Sequence, residues 1–267
     1  SGPGQSRNYG AAHSTGEYLL ILDSDVVLPT RYLAAIEDEL RREPADAFGG
    51  SDCAHESFTD KQKAISYAMT SFFTTGGIRG GKKKLDKFYP RSFNMGIRRD
   101  VYEALGGFSK MRFGEDIDFS IRIFKAGYSC RLFPKAWVWH KRRTDFRKFW
   151  RQVYNSGIAR INLYKKYPDS LKLVHLLPMV FTLGCAFLAF LFLLGIILFF
   201  FLPAGMPQAT GLGLSILALQ PLILYSFLIF ADATSKNNSA KIGILSIATA
   251  FIQLTGYGCG FLEAWWK

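Results

Sequence analysis

From Leu173 through Ala231 the chain carries no Asp, Glu, Lys or Arg. A run this long and apolar needs hydrocarbon around it rather than water. Pro203, Gly205 and Pro207 divide it, which predicts spanning helices at about 174–202 and 211–231. Ile242–Leu262 adds 21 uncharged residues. At about 1.5 Å each they reach roughly 31 Å, the depth of a hydrocarbon core. Residues 173–267 therefore read as a membrane domain with three spans.

Charge follows the same division. All but three of the 33 Lys and Arg, and all but two of the 21 Asp and Glu, precede residue 173. A basic front half before a nearly uncharged back half suits attachment to an anionic membrane face. Eleven Lys and Arg fall in 135–172, while 204–210 has none, so the front domain is expected on the cytoplasmic side. The C-terminus then falls outside, with Trp265 and Trp266 in an aromatic belt. Nucleic acid is the rival partner for a basic domain. It is disfavoured because the charge clusters beside the spans and no nucleic-acid motif is present. Cys53, Cys130, Cys185 and Cys259 are far apart in sequence and read as separate reduced thiols, not as a disulfide framework or zinc site.

In the front half, Tyr18-Leu19-Leu20-Ile21-Leu22 runs directly into Asp23-Ser24-Asp25. The apolar run predicts a buried strand, most often one in a parallel sheet, with both carboxylates at its carboxyl end. Open α/β sheets bind ligands there. Two carboxylates about 4 Å apart repel by roughly 4 kcal/mol at an effective dielectric near 20. A divalent cation would remove that cost and bring phosphates with it. The alternative is an ordinary turn after a strand.

The pattern predicts a helix over 4–14 and another from Pro29-Thr30 to about Arg42, with Thr30 as N-cap and Leu33, Ile36 and Leu40 on its apolar face. A short strand at 47–50 and a helix over 61–75 follow. The Gly- and Lys-rich stretch 74–84, with its basic core at 76–84, is either a solvated loop or a flap over an anionic ligand. Residues 91–97 read as extended, and 100–105 as a helix with an Asp100…Glu103 capping box. A helix spans about 116–126, with Ile117, Ile121 and Phe124 on one face. Strands are expected at 129–133 and 137–140. Segment 145–172 is basic, and Phe146, Phe149, Trp150, Val153 and Tyr154 line one helical face, so it either lies in the membrane interface or packs on protein. Alternating strands and helices make the class α/β. Glu115 and Asp116 open their helix. They either cap it against the dipole or supply a carboxylate kept ionised to accept a proton.

An ordered series then carries a resemblance. It comprises Ser6-Arg7-Asn8-Tyr9-Gly10, Gly16 through Asp25, Phe93 through Arg99, Gly106-Gly107-Phe108, Gly114 through Arg122, Lys125 through Tyr128, and Val138-Trp139-His140. In order and spacing it resembles family 2 glycosyltransferases of the GT-A fold, over roughly residues 5–160. The resemblance implies an incomplete GT-A, Rossmann-like nucleotide-diphospho-sugar transferase domain over 1–160, followed by the membrane helices. Such chains normally begin with about two further β–α units that hold most of the base pocket. This chain starts Ser1-Gly2-Pro3-Gly4, so it is expected to be N-terminally truncated.

The resemblance also implies roles. Asp25 would bind Mg²⁺ or Mn²⁺ on the diphosphate of a nucleotide-sugar donor, and Asp23 would sit nearer the ribose. Arg7 and Asn8 would line the nucleotide side, with Asn94 a further substrate-binding candidate and His140 an extra metal or diphosphate contact. Asp116 would be the general base and Glu115 would position the acceptor, a lipid-linked glycan or polysaccharide, for inverting transfer in cell-envelope polysaccharide biosynthesis. Gln152-Val153-Tyr154-Asn155-Ser156 lacks the Arg-Trp of the processive synthases' QxxRW motif, which favours single-sugar transfer. A processive synthase and an inactive transferase-like membrane scaffold are the alternatives.

Overall fold

The computed structural model describes residues 2–53, 55, 57–76, 88–201 and 205–267. In chain order the elements are α1 (Pro3–Ala12), β1 (Tyr18–Leu22), β2 (Val26–Val27), α2 (Tyr32–Arg42), β3 (Ala47–Gly49), β4 (Asp52–Cys53), α3 (Asp60–Thr70), α4 (Phe72–Thr75), β5 (Asn94–Arg98), α5 (Arg99–Ala104), α6 (Glu115–Lys125), β6 (Cys130–Leu132), β7 (Val138–His140), α7 (Phe146–Lys166), α8 (Leu177–Phe201), α9 (Met206–Asn237) and α10 (Ala240–Trp266). Two compact units result, Ser1–Phe58 with Lys82–Arg142, and Thr59–Gly81 with Arg143–Lys267. The basic stretch expected to be loop or flap falls largely on 77–87, outside the described residues.

The first unit is α/β. A four-stranded sheet has the order β1-β5-β3-β6, with β5 antiparallel to both neighbours and β3 parallel to β6. A smaller sheet has the order β2-β7-β4. The β1 strand is not the buried parallel strand its apolar run suggests. Among the described residues it is an edge strand, antiparallel to β5 (Tyr18↔Arg98 to Leu22↔Asn94), and Leu20 is exposed. Its run is apolar because both faces of the strand carry core contacts, with Leu20 left exposed at the edge. Leu19 and Ile21 join a cluster with Met95, Ile97, Tyr102 and Phe119. Tyr18 and Leu22 turn the other way, onto a cluster with Tyr32, Ile36, Phe48 and Phe133. An alternating strand with two covered faces has no polar side to show.

Three local expectations need correction. The α2 helix starts at Tyr32 with Arg31 as N-cap, so Thr30 is not its cap, and it buries Tyr32, Ala35, Ile36 and Glu39 while Leu33 is exposed. The buried face is rotated by one residue because Tyr32 is the residue that fills the core. The α5 helix has no capping box; Arg98 holds the N-cap position and Asp100 is drawn to the Arg98 guanidinium instead. In α6 the fully buried apolar residues are Phe119 and Ile123, and Ile117 and Phe124 are only half-buried. Close sheet packing also needs a missing side chain: a Cβ on Gly96 would overlap the Phe48 ring.

In the second unit α8, α9 and α10 are each long and apolar enough to cross a membrane. The α7 helix buries Phe149, Val153, Gly157 and Ile161. It packs along α10, where Gly157 lies against Tyr257 and Phe261 and Gly260 lies against Tyr154. The α3 helix joins the same unit through Tyr67 Oη to Asp232 (2.7 Å), Thr249 Oγ1 to Ala64 O (2.9 Å) and the Lys241–Asp60 ion pair (2.8 Å).

Candidate active site

The chain turns immediately after β1, where Val26 N–H donates to Asp23 O. It then pairs antiparallel with β7, setting Val26 opposite His140. Lys141 N–H donates to Asp25 O at 3.0 Å and locks this register. On the other side of β7, β4 runs parallel with Asp52 opposite Val138. Three strands of two or three residues thus deliver Asp25, His140 and Asp52 to one place.

Their side chains meet there. One ligand atom each from Asp23, Asp25 and His140 lies within 4.8 Å of the others, and all three residues are half-buried. His140 Nε2 is 3.3 Å from Asp25 Oδ1, and Nδ1 is 3.7 Å from Asp52 Oδ2. That Nδ1 is buried without a hydrogen bond. The buried Arg142 meets Asp52 at 2.6 Å. Two carboxylates and an imidazole converging on one point suit a borderline or hard divalent cation. A carboxylate facing the far ring nitrogen is the usual orienter of a metal-ligating histidine.

A second pair of carboxylates stands at the start of α6. Gly114 takes a left-handed conformation (φ 82°), turning the chain into the helix, and Glu115 and Asp116 are buried in its first turn. Arg7, from α1, joins the two groups. Its Nη2 is 3.0 Å from Asp23 Oδ1 and its Nη1 is 2.6 Å from Glu115 Oε1. Although burial works against its charge, the two carboxylates hold the Arg7 pKa above its ordinary value. Asp116 Oδ2 accepts from Arg91 Nε at 2.6 Å, and Asp116 Oδ1 accepts from the Ile117 amide. Burial pushes the Asp116 carboxyl up, but the Arg91 charge and these hydrogen bonds outweigh it and leave the pKa below its usual value.

The two asparagines are used differently. Asn8 Nδ2 donates to Phe108 O, while its Oδ1 accepts from Tyr102 Oη and the Phe108 amide. Gly107, at φ 66°, gives that side chain room, since a Cβ there would crowd Asn8 Oδ1. Asn94 is buried, accepting from Tyr32 Oη at 2.6 Å and donating to Ala136 O at 2.7 Å. Asp23, Asp25, His140, Arg7 and Glu115 are therefore linked through their polar atoms, and Asp116 follows Glu115 with its own carboxylate held by Arg91. Asn8 and Asn94 have their amides engaged by the scaffold beside them. The sequence patterns do not point to Asp52, Arg91 or Arg142. Asp52 had one weak signal, its place directly after the Gly49-Gly50-Ser51 break.

A family model described as glycosyl transferase family group 2 matches residues 18–231. The Bacillus subtilis (strain 168) protein named "Probable glycosyltransferase YdaM" is 27% identical over 169 residues, which cover 61% of this chain and 39% of the relative. The chain thus spans about two fifths of that relative's length. Among solved structures, the mannosyltransferase PcManGT from Pyrobaculum calidifontis, in complex with GDP-Man and Mn²⁺, aligns with a TM-score of 0.50 at 15% identity, over 99% of this chain and 67% of that one. At that identity the likeness bears on the fold, which is of the GT-A type.

Proposed function

The chain belongs to glycosyl transferase family group 2, and on that premise we propose that it is a membrane-bound, inverting glycosyltransferase. It takes a sugar from a nucleotide-sugar donor and joins it to a hydroxyl of a lipid-linked or polysaccharide acceptor at the cytoplasmic face. The observation that carries this reading is the convergence of Asp23, Asp25 and His140 within 4.8 Å, one arginine away from the carboxylates of α6. The solved mannosyltransferase, bound to Mn²⁺ and GDP-Man, supports it. The basic segment 135–172 before α8 supports the cytoplasmic face.

Asp25 and His140 would hold Mg²⁺ or Mn²⁺, with Asp23 toward the nucleotide. The cation would neutralise charge that builds on the departing diphosphate. Arg7 keeps Asp23 and Glu115 in fixed relation and offsets their mutual repulsion. Asp116 takes the proton of the attacking acceptor hydroxyl, and Glu115 orients that acceptor. Attack opposite the leaving group inverts the anomeric carbon. Arg91 keeps Asp116 ionised before the acceptor arrives, and an approaching hydroxyl must share or displace that contact. Asn8 and Asn94 act by fixing α1 and β5. Incubating the full-length protein with a panel of labelled nucleotide-sugars, with Mn²⁺ or EDTA, tests the reading. Metal-dependent sugar transfer is expected, and a full panel without turnover contradicts it. Product length on a defined acceptor separates single transfer from polymerisation.

A further inference from the structure

Composition allows all three C-terminal helices to cross a membrane, but their packing divides them. The α8 and α9 helices run antiparallel along the whole of α8. Gln208 Nε2 donates to Phe199 O at 3.2 Å, Ser215 Oγ to Phe192 O at 3.3 Å, and Phe181 lies against Tyr225 with ring centroids 5.2 Å apart. The α10 helix does not follow this hairpin. At its start Gly243 lies against Phe230 and Thr234, and Ala250 packs with Ile229 and Ala233. Midway, Phe251 meets Phe181 and Tyr225. Gly258 lies against Pro178 and Thr182, and near the end Phe261 and Ala264 pack with Leu176 and Met179.

The register that sets Phe181 against Tyr225 puts Leu176 and Met179 level with residues 227–230 of α9. So α10 advances about 31 Å from Gly243 to Ala264 at 1.5 Å per residue, yet begins and ends at nearly one height on the hairpin. It lies across the hairpin's base. Beyond Thr182 the hairpin continues through residues 183–201, about 29 Å, close to the thickness of a hydrocarbon core. There Phe187, Phe190, Leu193, Ile197, Ile216 and Leu217 are exposed.

The α7 helix follows α10 in the same direction. Val153 lies at Gly256, Gly157 at Tyr257 and Phe261, and Tyr164 stacks on Trp265. Its Arg147, Lys148, Arg151, Lys165 and Lys166 are exposed. Were α10 to cross the bilayer, it would carry this basic helix into hydrocarbon, where such side chains are expensive.

We propose that only the α8–α9 hairpin crosses the bilayer, and that α10 lies along the membrane surface beside α7, whose exposed Lys and Arg face lipid phosphates. The residue after α10 then stays on the side from which α8 enters. The test is side-specific labelling of the full-length protein in sealed membranes, with Cys53, Cys130, Cys185 and Cys259 replaced by alanine. Single cysteines are introduced as Lys172→Cys before α8, Ala209→Cys at the far end of the hairpin and Lys267→Cys after α10. A membrane-impermeant maleimide should give Lys172→Cys and Lys267→Cys the same sidedness, and Ala209→Cys the opposite one. Lys267→Cys reacting from the Ala209→Cys side would show that α10 crosses and would overturn the proposal. Ala209→Cys reacting from the Lys172→Cys side would overturn it too.

Discussion

Arg91 Nε lies 2.6 Å from Asp116 Oδ2, so the carboxylate proposed to accept the acceptor's proton is held by a cation. Burial would raise the pKa of this group, and the Arg91 contact, with the Ile117 amide and the Arg7 charge, reverses the sign. Asp116 stays ionised down to below its ordinary value of 3.8. Wild-type kcat/KM should therefore show no acidic limb from Asp116 between about pH 5 and 8. With Arg91→Met the largest opposition to burial is removed, leaving the Ile117 amide and the Arg7 charge, and an acidic limb should move up in pH. Asp116→Asn should lower kcat by about 10²–10⁴-fold, the usual worth of a positioned general base. The pH–rate profiles of wild type and Arg91→Met are the measurement.

The same shift bears on stability. Because the folded-state pKa of Asp116 is depressed, the stability it contributes is present above the unfolded value and is lost as pH falls through the lower folded value. Thermal unfolding of Asp116→Asn and wild type should differ most at neutral pH. The gap should narrow once the pH falls below the ordinary carboxylate range.

Arg7 touches Asp23 and Glu115 at once. Arg7→Met leaves the buried Glu115 carboxylate without its guanidinium, and breaking a buried pair from one side costs about 3 kcal/mol or more. A double-mutant cycle with Glu115→Gln, read by denaturant unfolding, should recover a coupling of about 1–3 kcal/mol.

Asn8 ties α1 to Phe108 through two hydrogen bonds and to Tyr102 of α5 through a third. Asn8→Ala should destabilise the first unit by about 3 kcal/mol, since it strands several buried polar groups. At temperatures where the variant is folded, its nucleotide affinity should stay within about twofold of wild type by calorimetric titration, against a loss of about tenfold or more if Asn8 held the nucleotide directly (1.4 kcal/mol per tenfold).

Asp52 faces the Nδ1 side of His140 and meets Arg142. Asp52→Asn should weaken Mn²⁺ binding by about 10-fold or more, the usual effect of losing a carboxylate that orients a metal-bound histidine. The fold should be kept, as near-ultraviolet circular dichroism would report.

Much of this site is legible in the sequence because its parts have strong local signals. An aliphatic run stops at Asp23 and Asp25, a helix opens on Glu115 and Asp116, and long uncharged helices follow. Neighbours across short strands leave no such trace. The β2, β4 and β7 strands are two or three residues long, too short for a period of two to show, so Asp52 could not be brought beside His140 by pattern alone. Arg91 sits in an irregular segment before β5, and its partner Asp116 is set only by tertiary packing. The edge position of β1 is hidden for another reason: a strand packed on both faces reads as apolar whether it is central or peripheral. The partners that engage Asn8 and Asn94, namely Phe108, Tyr102, Tyr32 and Ala136, likewise leave no trace in the sequence.

Asp23, Asp25 and His140 are proposed to form a divalent-cation site for a nucleoside diphosphate. Electron paramagnetic resonance of Mn²⁺ added to the full-length protein with a nucleoside diphosphate reads it directly. Wild type should convert free Mn²⁺ to a bound signal, and Asp25→Asn and His140→Ala should each lose it by about 10-fold or more in affinity. Equal Mn²⁺ binding by wild type and both variants would contradict the account.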